Sequence, residues 1–244
     1  MMVRTVDYES RRNAILAATI NKYIKEAWPI SSKDIADDFD LSSATIRNIF
    51  AELEDSGYLT HLYTSGGRMP TRKGYRYYVD FLISQSELLE DDKESISREY
   101  SARIDTLEKI LDKTSEVISA ITHYAGIASF LEWQDRFFYN GISFILSQPE
   151  FNDSQRIRLL IKMLEDKQHL LSIINRDFQD KVRVYIGEEL ECNEINNCAL
   201  AVSAYRVKGR SSGRIAVLGP MRMEYRRIIP ALGYIADILT EILR

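Results

Sequence analysis

A chain of 244 residues with 45% hydrophobic and 28% charged side chains can bury one large core or two modest ones, and global disorder is excluded. A net charge of −4 excludes a protein that attracts nucleic acid through its overall charge, so any site for a polyanion has to be local. The polar N-terminus and the lack of a long apolar run predict a cytoplasmic protein that neither enters nor spans a membrane. Its two cysteines, Cys192 and Cys198, are expected to be reduced and buried.

The first forty residues predict two helices. Asp7 can cap a helix over residues 8 to about 25, which the Trp28-Pro29 pair ends. Ser31, with Asp34 three residues later, has the spacing of a capping box at the start of a second, shorter helix.

A third helix is predicted from a cap at Ser42 to Gly57. Its apolar stripe has members three and four residues apart: Ile46, Ile49, Phe50 and Leu53. The opposite face carries small polar and basic residues near the start of the helix: Ser43, Thr45, Arg47 and Asn48. This pattern is typical of a helix-turn-helix, in which Arg and Asn bond to purine edges and Ser and Thr bind phosphate. An ordinary helical hairpin with a solvated polar face is the alternative.

A β-hairpin is predicted directly after the third helix, and together they indicate a winged helix. The chain alternates like a strand up to Tyr63 and returns through Met69-Pro70. Gly66 and Gly67 are expected to supply positive φ angles at the tip and to let the backbone approach phosphates, with Arg68 beside them.

A fourth helix, capped by Thr71, extends the positive surface. Residues 61–79 contain four basic residues and no acidic one, and Lys73 and Arg76 are expected to contact phosphates. Tyr75, Tyr77 and Tyr78 are predicted first as core residues, and Tyr75 also as a phosphate contact through its hydroxyl.

The rest of the chain predicts a second domain, at 84–244 after a first at 1–83. Residues 84–95 are interpreted as an acidic hinge, followed by one long amphipathic helix near 96–125. That helix either lies on the sheet of its own domain or pairs with its counterpart in a dimer, and the second is the favoured hypothesis. Its heptad-like stripe contains Tyr100, Ile104, Leu107, Leu111, Thr114, Ile118, Ile121 and Ala125.

Beyond residue 125 the pattern predicts an α+β domain of antiparallel strands with packed helices. Strands are predicted at 136–141, 181–187, 198–209 and 214–220, and helices at 153–177 and 224–244. The segment "RSSG", residues 210–213, is interpreted as the turn between the last two strands.

An enzyme is not predicted. The segment "GRSSG" matches G-x-S-x-G, but a strand follows it where a nucleophile elbow needs a helix. The three histidines, His61, His123 and His169, are scattered and accompany no motif, and no cluster has the spacing of a metal site.

Several segments resemble the heat-inducible transcription repressor HrcA family. "SSATIRNIFAELEDSGYL" and "TSGGRMPTRKGYRYYVD" are similar to its N-terminal winged helix. "GISFILSQPEF", "VRVYIGEE" and "GRSSGRIAVLGPMRMEYRRIIPALGYIADIL" are similar to its C-terminal, GAF-like domain.

The resemblance implies a homodimeric repressor of heat-shock chaperone operons that binds double-stranded DNA at the CIRCE inverted repeat. It also implies modulation by the GroE chaperonin and no cofactor. The DNA-binding residues it favours, together with the patterns above, are Ser42, Ser43, Thr45, Arg47, Asn48, Gly66, Gly67, Arg68, Lys73, Tyr75 and Arg76.

The sequence departs from the family in one place. Only "FLEWQDRFFYN" lies between Ser129 and Gly141, where typical members carry an inserted dimerisation domain. Two other functions stay open: a regulator that senses a small ligand through the GAF-like domain, and a winged helix that contacts protein. The basic, acid-free segment 61–79 argues against the latter.

Overall fold

The structure is a computed structural model that describes residues 2–63, 66–83, 87–100, 106–133, 136–176, 180–207 and 210–244. Side chains are described from Tyr8 onward, except at 210–212. The chain forms two compact units, Met1–Phe81 and Leu82–Arg244, and the division falls two residues before the predicted domain boundary.

The first unit is helical, with one small antiparallel sheet. In chain order its elements are α1 (Met2–Glu26), α2 (Ser32–Phe39), α3 (Ser43–Asp55), β1 (Leu59–Thr60), β2 (Met69–Pro70) and α4 (Arg72–Ile83). The predicted cap at Asp7 was wrong: α1 begins at Met2, six residues before the predicted start, because no proline or glycine interrupts residues 2–7.

The core of this unit is built by the apolar stripes of its helices. All four residues predicted for the α3 stripe are buried, which confirms that interpretation. They are joined in the buried set by Ile15, Leu16, Ile20 and Ile24 of α1, and by Tyr75, Tyr78 and Val79 of α4.

The second unit is a five-stranded antiparallel sheet with helices on both faces. Its strands are β3 (Ala125–Phe130), β4 (Phe137–Asn140), β5 (Val182–Ile186), β6 (Cys198–Val207) and β7 (Arg210–Pro220), in the spatial order β4-β3-β7-β6-β5. Its helices are α5 (Glu90–Glu99), α6 (Leu107–Thr122), α7 (Ile142–Leu146), α8 (Ser154–Glu165), α9 (Lys167–Ile174) and α10 (Tyr225–Ile242).

Alternation along the central strands separates the two faces of this sheet. Leu200, Val202 and Leu218 belong to a buried cluster with residues of α7, α8 and α9. On the other face α6 packs so closely that a Cβ at Gly126 would lie 2.8 Å from Ile118 Cβ, and Thr240 of α10 accepts a hydrogen bond from the Arg206 amide. The α+β prediction is therefore confirmed.

The predicted long helix at 96–125 was wrong, and so was most of the predicted hinge. Residues 90–99 form α5, and α6 begins only at Leu107, with Thr106 as its N-cap. The heptad-like spacing runs through the break between α5 and α6, because both helices bury one face in the same unit. Thr114, on α6, accepts a hydrogen bond from Tyr100 at the end of α5.

The residues of the heptad-like stripe have different structural environments. Ile104 lies outside the described residues, and Ala125 starts β3 rather than ending a helix. Leu111, Thr114 and Ile118 are fully buried within the unit, so they are unavailable for pairing with a second chain. For α6, packing on its own sheet is the correct alternative.

Two other element boundaries differ from the prediction for local reasons. The helix predicted at 153–177 is two helices, because Asp166 ends α8 and its carboxylate accepts the His169 amide at the start of α9. "RSSG" lies inside β7, since Arg210 pairs with Val207, and this leaves Lys208 and Gly209, outside the described residues, between the two strands. The strand β3 was not predicted.

Candidate nucleic-acid interface

The start of α3 is fixed by a side-chain cap. Ser42 Oγ accepts a hydrogen bond of 3.0 Å from the Thr45 amide and lies 2.9 Å from Thr45 Oγ1. Because the stripe of α3 is buried, the rotation of the helix is set, and the opposite side faces outward. The exposed residues of its first two turns are Ala44, Thr45, Arg47 and Asn48, whereas Ser43 is half-buried.

Arg47 and Asn48 are available for recognition. The Arg47 Nε–H donates to the Ser43 carbonyl of the preceding turn at 3.2 Å, which directs the side chain along the helix toward its start. Among the described residues, Asn48 has no hydrogen-bond partner. An exposed amide with free donor and acceptor groups suits paired hydrogen bonds to a purine edge.

The wing is joined to the rest of the unit by more than its own hairpin. β1 and β2 pair over only two residues each, fewer than predicted. Arg68 pairs in addition with Ile30, the residue before the N-cap of α2, through hydrogen bonds of 2.9 and 2.7 Å in both directions. Sequence reasoning missed this third segment because the pairing joins residues far apart in the chain.

The prediction that Gly66 and Gly67 adopt positive φ angles at the tip of the wing was wrong. Neither Gly66 nor Gly67 has a φ in the left-handed region. Gly67 is needed for close approach instead, because a Cβ there would lie 2.5 Å from the Pro29 carbonyl oxygen. The Gly66 amide donates to the Tyr63 carbonyl at 2.7 Å, and the two residues between them, Thr64 and Ser65, lie outside the described residues.

Arg68 is turned toward α3. Its Nη1 donates to the Gly66 carbonyl at 2.9 Å, and its Nε lies 3.1 Å from Glu54 Oε2 in an ion pair. The other carboxylate oxygen of Glu54 contacts His61 Nδ1. The segment 61–79 contains no acid, as noted, but an acid from α3 packs against it.

The start of α4 is held against the end of α3. Thr71 Oγ accepts from the Gly74 amide at 3.1 Å, which confirms the predicted cap, and donates to the Gly57 carbonyl at 2.7 Å. Lys73 lies over the Tyr58 ring, 4.6 Å from its centroid, and donates to the Ser56 carbonyl at 2.9 Å. These contacts fix the angle between α3 and α4.

The other predicted residues of α4 are distributed between surface and core. Arg76 is half-buried and pairs with Asp80, one turn later, at 3.3 Å. Tyr75 is only 4% exposed, so its side chain belongs to the core, and a phosphate contact through its hydroxyl is not supported. Tyr78 is buried as well, and its hydroxyl donates to Asn21 at 3.3 Å.

Comparison with known proteins matches both units to one family. The family model described as "Winged helix-turn-helix transcription repressor, HrcA DNA-binding" matches residues 8–80, and "HrcA protein C terminal domain" matches residues 128–229. The chain belongs to the HrcA family.

Curated relatives of this HrcA-family chain are similar over nearly their whole length. The "Heat-inducible transcription repressor HrcA" of Pelotomaculum thermopropionicum is 25% identical, over 96% of this chain and 97% of the relative. The protein of the same name from Desulforudis audaxviator is 26% identical, over 96% and 98%. The fold is shared with a solved structure titled "Crystal structure of a hypothetical protein at 2.2 A resolution" (TM-score 0.77, 18% identity, 96% of both chains).

The HrcA-family chain is shorter than these relatives. The first alignment spans 336 positions and the chain has 244 residues, so at least 92 positions (336 less 244) have no counterpart in it. The resemblance placed the missing part between Ser129 and Gly141. There the structure has β3 paired directly with β4, in a hairpin closed by an aromatic contact between Phe130 and Trp133.

In the second unit of the HrcA-family chain, a cleft of about 390 Å³ lies beside α5 and α10. Its two lysines are already paired, Lys93 with Glu90 at 2.7 Å and Lys181 with Asp237 at 2.6 Å. Both cysteines are buried and reduced, as predicted, and burial raises the pKa of Cys198 to about 12. Ser211 lies within strand β7, which is not the strand-turn-helix setting of a nucleophile elbow.

In the part of the chain that the structure describes, no group of three His, Cys, Asp or Glu residues is arranged to hold a metal ion. None of the described helices combines the length and apolar character that a bilayer span requires.

Two residues at the candidate interface were missed from sequence. Glu54 was assigned to no role, although it lies on α3 one turn beyond the buried Phe50 and directly before the wing. Lys33, in the first turn of α2, is exposed and makes no hydrogen bond or close ion pair with the described residues. The position of α2 before the recognition helix could have indicated Lys33, since the first helix of a helix-turn-helix crosses the DNA backbone.

Proposed function

We propose that this protein is a sequence-specific DNA-binding repressor of heat-shock operons that binds an inverted repeat as a homodimer. The observation that carries the proposal is the outward start of α3, where exposed Thr45, Arg47 and Asn48 lie opposite a fully buried stripe. Relatives named as heat-inducible transcription repressors align with 96% of the chain, which supports the same role here.

In this proposal α3 enters the major groove and each polar residue has a separate task. Arg47 and Asn48 bond to base edges, because both are exposed and Asn48 has no competing partner among the described residues. Ser42, Ser43 and Thr45, at the positive end of the helix, bind phosphate. Gly66 and Gly67 bring the wing beside the DNA backbone.

Phosphate contacts from α4 complete the surface. The ammonium group of Lys73 is exposed and retains two protons beyond the one it donates to Ser56, so it can bind a phosphate oxygen without leaving its site. Arg76 can exchange its pair with Asp80, a surface contact of small energy, for a phosphate. Tyr75 is left out of the interface, because it is buried.

The regulation we propose follows from the family. Repression depends on a GroE-type chaperonin in the cytoplasm, and the second unit supplies contacts between the two chains. The alternative is a regulator that senses a small ligand through the second unit. The two lysines of its cleft are paired within the protein, and this does not favour an anionic ligand there.

The first test measures binding of purified protein to the inverted repeat and to a scrambled duplex by fluorescence anisotropy, at several salt concentrations. The wild type should prefer the repeat. Arg47→Ala should weaken binding to the repeat by about 1–3 kcal/mol and relax its preference, because a base contact is lost. Lys73→Ala should weaken both duplexes alike and reduce the salt slope by about 1.

A matched control is Arg158→Ala, which removes the same charge from an exposed position on α8 of the second unit. It should leave the preference unchanged. A wild type without preference for the repeat would refute the proposed function, and equal effects of Arg47→Ala and Lys73→Ala would refute the division of tasks.

A further inference from the structure

Arg68 is the meeting point of three segments of the first unit. Its backbone pairs with Ile30 in both directions, its guanidinium holds the Gly66 carbonyl, and the same group forms an ion pair with Glu54 of α3. The wing and the recognition helix are therefore joined by a side-chain cluster in addition to the chain itself. We call Glu54, His61 and Arg68 the wing latch.

The latch is partly shielded from water. The side chains of Arg68, Glu54 and His61 are 19, 23 and 32% exposed, so their contacts are screened less than those of surface pairs. His61 follows β1 and Arg68 precedes β2, so Glu54 is in contact with both sides of the wing. One carboxylate thus restrains the wing at both of its ends.

We propose that Glu54 is a positioning residue that fixes the angle of the wing relative to α3, and that Arg68 acts through it rather than by binding phosphate. This inference depends on the proposed DNA-binding function. A winged helix gains sequence preference when helix and wing dock together, and a preformed angle removes the cost of ordering the wing on DNA. An acidic residue beside DNA would otherwise only weaken binding.

The direction in which Glu54→Gln changes operator affinity distinguishes a positioning role from a purely electrostatic one. Glu54→Gln removes a negative charge near a polyanion, so electrostatics alone predicts tighter binding to every duplex. Loss of the latch predicts weaker binding to the operator, with binding to scrambled DNA unchanged or stronger. The two explanations therefore give opposite changes on the operator.

The experiment uses the full chain and measures affinity for the operator duplex and for a scrambled duplex. Glu54→Gln should lower operator affinity about fivefold, because it weakens the ion pair with Arg68 and the contact with His61. The matched control is Asp55→Asn, which removes the same charge at the next, exposed position. It should leave the ratio of the two affinities as in the wild type. A Glu54→Gln protein that behaves like Asp55→Asn would overturn the proposal.

Amide hydrogen exchange provides a readout that does not require DNA. The Arg68 amide, bonded to the Ile30 carbonyl at 2.7 Å, should exchange several-fold faster in Glu54→Gln, whereas the amide of buried Leu53 should not change. An unchanged Arg68 amide would refute the latch. Because this measurement is independent of DNA, it separates failure of the latch from failure of the proposed function.

A second variant, Arg68→Gln, tests the proposal if Glu54→Gln also destabilises the core of the first unit. If Arg68 is part of the latch, Arg68→Gln should lower the ratio of operator to scrambled affinity and leave the salt slope unchanged. If Arg68 instead binds a phosphate, both affinities should fall together and the slope should decrease by about 1. The second result would overturn the proposal.

Discussion

Asp34 shows how a single exposed side chain contributes to this fold. Its carboxylate accepts the Ser31 amide at 2.7 Å while the Ser31 hydroxyl accepts the Asp34 amide at 3.3 Å, so each residue satisfies a free N–H at the start of α2. Hydrogen bonds from Ser31, its side chain first and its backbone second, hold the pKa of Asp34 below its usual value.

This pKa shift predicts a pH-dependent contribution to stability. Because the pKa is lower in the folded chain, the charged form stabilises the fold above the unfolded pKa, and the contribution is lost as the pH falls through the folded pKa. Asp34→Asn should lower the free energy of unfolding by roughly 0.5 kcal/mol at neutral pH, since the site is exposed.

Urea unfolding followed by circular dichroism checks this. The difference between wild type and Asp34→Asn should begin to shrink below about pH 4, where the unfolded Asp34 takes up a proton, and should vanish once the pH is below the lower folded pKa. Asp37→Asn is the control, because it removes an exposed carboxylate of the same helix that takes no part in the capping box. A difference that grows on acidification would contradict the assignment.

Among the elements, the wing depends on one point of close approach. Gly67 lies against Pro29 and Ile30, where an added Cβ would come within 2.6 Å of the Pro29 carbonyl carbon. Gly67→Ala should displace the wing from Ile30, lower the stability of the first unit by about 1–3 kcal/mol and reduce operator affinity.

Thermal unfolding and anisotropy measure these two effects. Gly66→Ala is the matched comparison, because its Cβ would meet the Tyr63 carbonyl oxygen at 3.0 Å and need only a small adjustment. It should therefore have the milder effect. Equal effects at both positions would mean that the approach to Pro29 is not what requires glycine.

Elements whose cause is local were predictable from sequence. The α3 stripe follows from spacing alone, and the caps at Ser31, Ser42 and Thr71 follow from residue type. The pairing of Ile30 with Arg68 and the contact of Glu54 with the wing join distant residues, and periodicity carries no information on such contacts. The apolar run of β3 was hidden because every one of its residues is buried and it does not alternate.

For the whole molecule, the two units divide the proposed work. The first carries the surface for DNA, and the second, with its own sheet and core, is left to bring two chains together. Because Leu111, Thr114 and Ile118 of α6 are buried inside the unit, contacts between chains would have to use other surfaces. A palindromic target fits such an arrangement, since two-fold symmetry in the protein matches two-fold symmetry in the operator.

Symmetry predicts a large penalty for losing half of the operator. A duplex with one half-site scrambled should bind at least about 100-fold more weakly. Once one first unit of the dimer is bound, the other is held at a high effective concentration near the second half-site, and scrambling that half-site removes the gain in affinity. The control is a duplex with only the spacer scrambled, which should bind like the intact repeat. Light scattering of the complex should give a protein mass of twice 28.2 kDa. Equal binding to the half-scrambled duplex would contradict a dimeric reader.

The outward side of α3 shares no position with its buried stripe, so in the proposed function target choice and structural integrity belong to different amino acids. Substitutions at Arg47 or Asn48 could therefore accumulate during evolution without eroding the scaffold. The same separation would let an engineer retarget the protein to another promoter by exchanging only these surface positions.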